Sequence, residues 1–299
     1  MTYSKIIKDS RENFFPTPYD LVYSCFEKLG FFKKNPSFFV KNASYIIEKI
    51  RDEAWNTYLP IERKFMSETL AKLISEDEIK DKKPLEAIEW FIDSFPQEIY
   101  ELSLSNTQSR RSRAGKEFEA IIELILIGSG ISLDSQGNIG KKYFADKGLS
   151  KLVDIIVPGV IEYTEDKSEV ILISAKTTLR ERWQEVPEEM SRTGAKEMFL
   201  VTLDETISSN VLNSLYEANI RVTTTKNIKN KYYANNKRVL DFEKLLEICI
   251  LANKNWSNYK FSEKQIEEKK KEIEIMINKH CNSNFVVQFY QEKIKRLGK

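Results

Sequence analysis

The sequence predicts an α/β protein that begins with a long helical region and continues into a sheet with helices packed on it. Two observations support this fold class. Apolar residues recur at helical spacing through residues 1–102, as at Leu21, Cys25 and Leu29. Further along the chain, short runs rich in Ile and Val alternate with helical patterns, which is typical of an α/β sheet.

Prolines and glycines divide the first half of the chain into its elements. Proline is favoured in the first turn of a helix and disrupts helix interiors, so six prolines indicate several helices. They are Pro16, Pro18, Pro36, Pro60, Pro84 and Pro96. A further helix is predicted at 118–127 and ends at the G-S-G of 128–130. Glycines at 137, 140 and 148 then indicate turns in a hairpin-like region.

The second half alternates strands with helices. Four apolar runs are predicted to be strands: 153–158, 170–176, 196–203 and 220–225. Helical patterns lie at 210–219, 242–251 and 261–279. Between them, the segment 227–238 is polar, basic and aromatic. The pattern does not decide whether this loop contacts a phosphate backbone or is only solvated.

Composition excludes several classes of protein. The net charge is +2 with 31% charged residues, so a surface for nucleic acid must come from local clustering. Three scattered cysteines without metal spacing are typical of reduced thiols, and a single histidine, His280, excludes a His-rich zinc site. Because no signal peptide or bilayer-length apolar run occurs, we expect a cytoplasmic protein without a membrane partner.

Two ionisable residues stand at the ends of adjacent predicted strands. Asp154 opens the first and Lys176 closes the second, so both are expected at one edge of the sheet. Burying either side chain costs several kcal/mol unless it has a partner or a task. Glu189 lies 13 positions beyond Lys176 and two beyond Pro187, in the first turn of a predicted helix. Two carboxylates beside a lysine suit Mg²⁺-assisted hydrolysis of a phosphodiester, and an ordinary charged sheet edge is the alternative.

This arrangement resembles the active site of the PD-(D/E)xK nucleases. Val153 stands where the usual proline would be, and Ser174 takes the place of the second acid before the lysine. One branch of restriction endonucleases shows the same pattern, with the second carboxylate moved onto the following helix. The resemblance implies a restriction-endonuclease-like core with a mixed central sheet flanked by helices. It also implies a catalytic set of Asp154, Lys176 and Glu189 and a requirement for Mg²⁺.

A second pair of motifs narrows the resemblance. K-T-T-L-R-E-R-W at 176–183 and S-R-R-S-R-A-G-K-E-F-E at 109–119 resemble the EcoRII/SsoII/PspGI group of type II restriction endonucleases, which cut at CC-x-GG sites. The resemblance is clearest over 109–203 and extends along the whole chain for the SsoII branch. Carried over to this chain, it makes Asp154, Glu189 and Glu119 the metal ligands.

The R-E-R triplet also fits base recognition chemically. An Arg fork matches guanine O6 and N7, whereas Glu accepts a hydrogen bond from cytosine N4. Arg180, Glu181 and Arg182 are therefore the candidate readers of adjacent G·C pairs, and a solvated charged turn is the alternative.

Four cations precede the predicted helix at 118–127: Arg110, Arg111, Arg113 and Lys116. Cations at a helix entrance oppose the macrodipole, so we expect DNA phosphates to supply the compensating charge. An ordinary exposed basic turn is the alternative.

The tryptophans of the N-terminal region are assigned by position. Trp90 is expected in the core. Trp55 lies in a charged segment, where a core contact is the usual explanation. In the resembled group, however, an N-terminal tryptophan can stack on an extruded base, and Trp55 matches it by position.

The sequence therefore predicts a Mg²⁺-dependent type II restriction endonuclease that leaves 5′-phosphate ends. A palindromic double-stranded DNA site has one target per strand, so a homodimer with two-fold symmetry is expected, and a cognate cytosine methyltransferase would protect host DNA. Residues 1–102 form the helical subdomain for DNA contact or dimerisation, and 103–299 the nuclease core with its C-terminal helices. The alternatives are a repair or junction-resolving nuclease of the same fold, or a non-catalytic DNA-binding module.

Overall fold

The N-terminal part of the molecule is helical. The structure is a computed structural model that describes residues 3–149, 153–179 and 183–297. Its first six helices are α1 (Tyr3–Glu12), α2 (Pro18–Lys28), α3 (Pro36–Ala71), α4 (Glu76–Ile79), α5 (Pro84–Ser94) and α6 (Pro96–Gly128). Proline stands at the start of four of them, as predicted, because its missing N–H has no partner there in any case. Pro60 is an exception inside α3.

Helix α6 is much longer than the sequence predicted. It runs without a break through 33 residues, whereas the sequence predicted a helical region up to residue 102 and a separate helix at 118–127. The predicted helix entrance before residue 118 is therefore wrong. Residues 110–116 lie in the middle of α6, where the macrodipole argument does not apply, since its effect is confined to the end turns. The predicted end at the G-S-G is confirmed, with Gly128 the last helical residue.

The sheet has six strands in the order of the chain. They are β1 (Asp134–Ser135), β2 (Ile155–Val157), β3 (Ile171–Lys176), β4 (Met198–Thr202), β5 (Ile220–Thr224) and β6 (Leu240–Asp241). The first three pair antiparallel and the last three join in parallel, so the predicted mixed sheet is confirmed. In β3 and β4 almost every residue is buried, as expected for strands covered on both faces.

Two connecting regions differ from the prediction. The segment read as hairpin-like contains two short helices, α7 (Gln136–Ile139) and α8 (Lys141–Asp146). Gly140 and Gly148 follow the ends of these helices, whereas Gly137 lies inside α7. Part of the predicted loop at 227–238 is also helical, in α12 (Lys226–Tyr232), which Thr225 caps by accepting from the Ile228 N–H. The remaining helices are α9 (Val160–Glu165), α10 (Glu185–Thr193), α11 (Ser209–Glu217), α13 (Phe242–Asn255), α14 (Glu263–Lys279) and α15 (Asn284–Leu297).

The N-terminal helices and the sheet share one hydrophobic core. Phe26 and Ile47, from α2 and α3, belong to the same buried cluster as Ile122 of α6 and Ile173 of β3. The boundary predicted after residue 102 falls inside α6. The expectation for Trp90 is wrong, since it is only half-buried on α5, a helix with no buried residue. Within the described ranges, no helix has the length and apolar character that crossing a membrane requires.

A buried charge network ties the two C-terminal helices to the edge of the sheet. Lys269 of α14 donates to both oxygens of Glu162 at 2.7 Å. Asp134 on β1 lies 3.9 Å from the Lys293 ammonium of α15. Glu272 completes the network, and burial together with the negative charge of Asp134 raises the pKa of Glu272 from 4.5 to about 8. Three carboxyls face two ammonium groups, so Glu272 carries the proton.

This network predicts a stability that falls with rising pH. Because the pKa of Glu272 is higher in the folded chain than in the unfolded chain, its contribution is complete below pH 4.5 and is lost as the pH rises through about 8. Glu272→Gln stays neutral in the folded and in the unfolded chain, so its Tm should match that of the wild type at pH 4 and exceed it by roughly 3 °C or more at pH 8.5. Thermal unfolding at both pH values measures this, with the exposed Glu274→Gln as control. An equal Tm difference at both pH values would contradict the prediction.

Candidate active site

Asp154 and Lys176 meet at one edge of the sheet, as the sequence predicted. Asp154 lies just before β2, and Lys176 is the last residue of the neighbouring antiparallel strand β3. The Lys176 ammonium donates to Asp154 Oδ2 at 2.9 Å, and the Ala175 N–H donates to the same oxygen at 2.6 Å. Both side chains are largely buried, with 13% and 14% of their surface exposed.

The electrostatics of this edge bring in Glu119 of α6. Burial raises the pKa of the Asp154 carboxyl, while the Lys176 ammonium and the Ala175 N–H oppose that rise. Burial and the negative charge of Asp154 raise the pKa of Glu119 to about 7, and Lys176 again opposes the rise. The structure therefore brings Glu119, Asp154 and Lys176 together. Even with Lys176 and Lys116 nearby, the pKa of Glu119 stays raised, so the edge favours an added cation.

A second acid, one helical turn beyond Glu119, was not singled out from the sequence. Glu123 is buried and accepts hydrogen bonds from the Tyr19 hydroxyl at 2.9 Å and from Asn138 Nδ2 at 2.8 Å. It thereby fixes α2 and α7 against the helix that carries Glu119. Gly137 of α7 leaves room there, since a Cβ on it would lie 3.3 Å from the Tyr19 hydroxyl and 3.8 Å from Glu119 Oε2. The signal was present as a lone acid in the apolar run I-I-E-L-I-L-I.

Several predicted site residues cannot be placed. Arg180, Glu181 and Arg182 lie outside the described residues. Residue 189 belongs to α10, which starts at Glu185, so it falls in the second turn of that helix and not in the first as expected. The Glu189 side chain is also outside the described part. Among the side chains that the structure describes, no group of three or more His, Cys, Asp or Glu residues forms a metal-binding cluster.

The basic residues of α6 differ in their surroundings. Arg110 makes a forked ion pair with Glu62, whose side chain is only 1% exposed. Arg113 is mostly buried and donates to the Pro16 carbonyl oxygen at 2.8 Å. Arg111 and Lys116 are exposed. Arg110 and Arg113 thus have internal partners, whereas Arg111 and Lys116 face solvent. Glu62 was missed in the sequence because nothing near it in the chain marks it as buried.

Trp55 lies on the surface of α3. It is 47% exposed, so the usual explanation of a core contact does not hold for it. Its ring is stacked on Tyr58, with 6.2 Å between ring centroids. The Arg110 guanidinium lies 5.3 Å from the indole centroid. Helices α3 and α6 therefore present a partly exposed aromatic ring next to the Arg110 guanidinium, which the ion pair with Glu62 holds in place.

Comparison with known proteins identifies the family. The family model for the EcoRII C-terminal domain matches residues 64–246, a range that contains Glu119, Asp154 and Lys176. This chain belongs to the EcoRII C-terminal family. It is therefore an enzyme of the type II restriction class, a site-specific deoxyribonuclease, and the predicted restriction-endonuclease-like fold is confirmed.

Relatives of this family match nearly the whole chain. The type II restriction enzyme SsoII of Shigella sonnei is 46% identical over 295 residues, which cover 99% of this chain and 97% of SsoII. The structure of metal-depleted Ecl18kI in complex with uncleaved, modified DNA is 45% identical, with 98% of each chain covered and a TM-score of 0.93. The PspGI–substrate DNA complex shares the fold at 17% identity and a TM-score of 0.59, over 81% of this chain and 94% of PspGI.

Proposed function

We propose that this endonuclease cleaves double-stranded DNA at a CC-x-GG palindrome in a Mg²⁺-dependent reaction that leaves 5′-phosphate ends. The observation that carries the proposal is the Asp154–Lys176 pair at the sheet edge, with the Glu119 carboxyl beside it. The SsoII and Ecl18kI relatives support it by their identity along the whole chain. Two copies act together, because a palindrome has one scissile phosphate on each strand.

The carboxyl groups at this edge fit a hard divalent cation. Asp154 and Glu119 offer oxygen ligands, which Mg²⁺ prefers. Burial is the largest cause of the raised pKa of both groups, so their charged forms are disfavoured until a cation is added. Asp154, Glu119 and Glu189 would hold the ion. When bound, Mg²⁺ would lower the pKa of a coordinated water and offset the charge that develops on the phosphate.

Lys176 has two tasks in this proposal. Its ammonium, held on Asp154 Oδ2, keeps the carboxylate oriented and leaves two N–H donors free for other acceptors. A phosphate oxygen or the attacking water can accept from them, which stabilises the charge that grows on the phosphate during attack. Because β3 is buried along its length, the lysine is fixed in direction before DNA binds.

Recognition is proposed to use separate residues for bases and phosphates. Arg180, Glu181 and Arg182 read the G·C pairs, since they follow Lys176 closely and carry matching donors and acceptors. Arg111 and Lys116, exposed on α6, contact phosphates. For Arg110 and Arg113, which were also expected on the DNA backbone, internal partners already offset much of the charge, so their contribution should be smaller.

Trp55 is the proposed stacking partner of an extruded central base. It is 47% exposed at the surface, and its ring lies beside Tyr58 and the Arg110 guanidinium. Extruded bases stack on aromatic side chains of this kind. With 2-aminopurine at the central position, fluorescence should rise on binding, and rise more with Trp55→Ala because no indole then stacks on the extruded base. A duplex with 2-aminopurine outside the site is the control. Fluorescence equal to that of free duplex with both proteins would contradict the proposal.

One experiment tests the proposed reaction directly. Purified protein is incubated with a plasmid of known sequence in Mg²⁺ or in Ca²⁺, and the ends are mapped by sequencing. We expect cuts at CC-x-GG sites in Mg²⁺ alone, ends that ligate without kinase treatment, and protection when a cytosine methyltransferase has modified the site. Cleavage without sequence preference would favour a repair or junction-resolving nuclease, and binding without cleavage would favour a non-catalytic module.

A further inference from the structure

The loop after β4 lies beside the segment that leads to the proposed base readers. β3 and β4 are neighbouring parallel strands that end at Lys176 and Thr202, so the chain leaves both strands at the active-site edge of the sheet. Just beyond the strands, the Leu203 N–H donates to the Thr177 carbonyl oxygen at 3.3 Å. Neither segment continues as a strand after this bond, so further contact between them depends on side chains.

The side chain of Asp204 connects the two segments. Its Oδ2 accepts from the Leu179 N–H at 2.9 Å, across 25 positions of sequence. Its Oδ1 accepts from the N–H and the hydroxyl of Thr206 at 3.0 Å and 2.9 Å, which folds the loop after β4 into a local turn. Each carboxylate oxygen therefore has its own task, and the single acceptor oxygen of an amide cannot take both places.

The loop after β4 is itself held by Tyr233. The Tyr233 hydroxyl donates to the Asp204 carbonyl oxygen at 2.9 Å and accepts from the Ile207 N–H at 3.0 Å. Tyr233 is buried in the same apolar cluster as Leu179. The backbone of Asp204 is thus tied to the core, while its carboxylate holds Leu179. The position of this carboxylate is therefore set by the fold.

Leu179 is the last described residue before the R-E-R triplet. Its side chain is buried in the same cluster as Val186 of α10, and its N–H is held by Asp204. The triplet is therefore flanked in the chain by two points that the core fixes, Leu179 before it and α10 after it. Such fixed points suit base recognition, because a forked arginine needs its donors within about 0.5 Å of the productive geometry.

We propose that Asp204 is a positioning residue for base recognition, which acts through the Leu179 N–H on the segment that begins with Arg180. The inference rests in one respect on the proposed function, the base-reading role of Arg180, Glu181 and Arg182. A base contact depends on direction and is lost when its support is loosened, whereas a phosphate contact carries no sequence information. Removal of the Asp204 carboxylate should therefore cost cognate affinity and leave non-specific affinity in place.

Hydrogen exchange of the full chain without DNA tests the contact itself. In Asp204→Ala the Leu179 N–H loses its acceptor, so the peptide that contains it should exchange about 10-fold faster or more. Asp204→Asn keeps one acceptor oxygen and should give a smaller increase. Asp241→Ala is the matched control: this acid ends β6, two strands further along the sheet, and accepts from the Lys244 N–H at 2.9 Å. Its loss should leave the exchange of the Leu179 peptide unchanged.

Competition between a CC-x-GG duplex and a random duplex in Ca²⁺ tests the effect on recognition. Asp204→Ala should lower cognate affinity about 10-fold or more and random affinity by less than about twofold, since only the base contacts depend on the support. Asp204→Asn should lose less. Asp241→Ala removes a helix cap and should lower the Tm while the preference for the cognate duplex stays the same, which separates positioning from general stability.

Three results would overturn the positioning role of Asp204. They are unchanged exchange of the Leu179 peptide in Asp204→Ala, an unchanged cognate preference in that variant when it is folded, and an equal loss of preference in Asp241→Ala. If Asp204→Ala does not fold, Asp204→Asn is judged by the same comparisons. A wild type that does not prefer the CC-x-GG duplex would contradict the proposed function, and the exchange measurement would still decide whether Asp204 holds Leu179.

Discussion

Replacing Asp154 by alanine is expected to reduce Mg²⁺-dependent cleavage by on the order of 10³-fold or more, since the proposed metal ligand and its transition-state stabilisation would be lost. Lys176→Ala should give a loss of similar size, because the phosphate charge loses its ammonium donor. Both variants should still bind the cognate duplex in Ca²⁺, since neither residue reads a base. Single-turnover cleavage and gel-shift binding measure the two effects separately.

Asp154 also has a structural role, so folding must be measured beside activity. The Ala175 N–H and the Lys176 ammonium both donate to Oδ2 and lose their acceptor in Asp154→Ala. Thermal unfolding of each variant distinguishes one whose sheet edge is misfolded from one that is folded and has lost only the catalytic group. Asp166→Ala is the control, because that acid is exposed directly after α9 and accepts from Ser168 in a local turn. Cleavage retained within tenfold in a folded Asp154→Ala variant would remove it from the metal site.

Replacing Arg182 by lysine is expected to cost specific DNA affinity while non-specific affinity survives. Lysine keeps the charge but loses the forked pair of donors that matches guanine O6 and N7. That fork contributes roughly 1–3 kcal/mol of discrimination, so specific affinity should fall about 5- to 150-fold. Competition between a CC-x-GG duplex and a random duplex, at several salt concentrations, measures the difference.

Arg111 provides the comparison for a phosphate contact. It is exposed on α6, and Arg111→Lys should change cognate and random binding together or barely change either, because a phosphate accepts from both side chains without sequence preference. Equal losses on both duplexes for Arg180→Lys and Arg182→Lys would mean that these residues touch only the backbone. The base-reading surface would then lie elsewhere in the chain.

The sequence predicted the sheet edge well because strand ends leave a local signal. Asp154 and Lys176 each interrupt an apolar run, and two adjacent antiparallel strands can bring such residues together in only one way. Glu119 could be predicted as a site residue only from the family resemblance, since an acidic residue on a helix among other charged residues is not distinctive. Glu62 is paired with Arg110, which is distant in the chain, so no nearby pattern marked it as buried. Glu123 did have a local signal, as the lone acid in an apolar run.

The sequence predicted the helix boundaries less well than the sheet edge, because polar helix segments leave no local pattern. The first two thirds of α6 are polar and partly exposed, and periodicity detects a helix only where one face is apolar. The same argument explains α7, where buried polar residues such as Gln136 and Asn138 are stabilised by tertiary hydrogen bonds rather than by an apolar face. Gly137 was interpreted as a turn because glycine favours turns, and the sequence does not show the tertiary contacts that make this segment helical.

Because α6 is continuous, it fixes the distance and the relative orientation of the residues along it. Arg110, beside Trp55, and Glu119, beside Asp154, lie on the same rod, about 13 Å apart along its axis at 1.5 Å per residue. Inserting or deleting one residue between them would turn one end against the other by about 100°. Length changes should therefore be excluded from this stretch during divergence, even at an exposed position such as Ser112, where the side chain itself is free to vary. With the proposed roles of Trp55 and Asp154, the number of helical residues between Arg110 and Glu119 would set the distance between the extruded base and the cut.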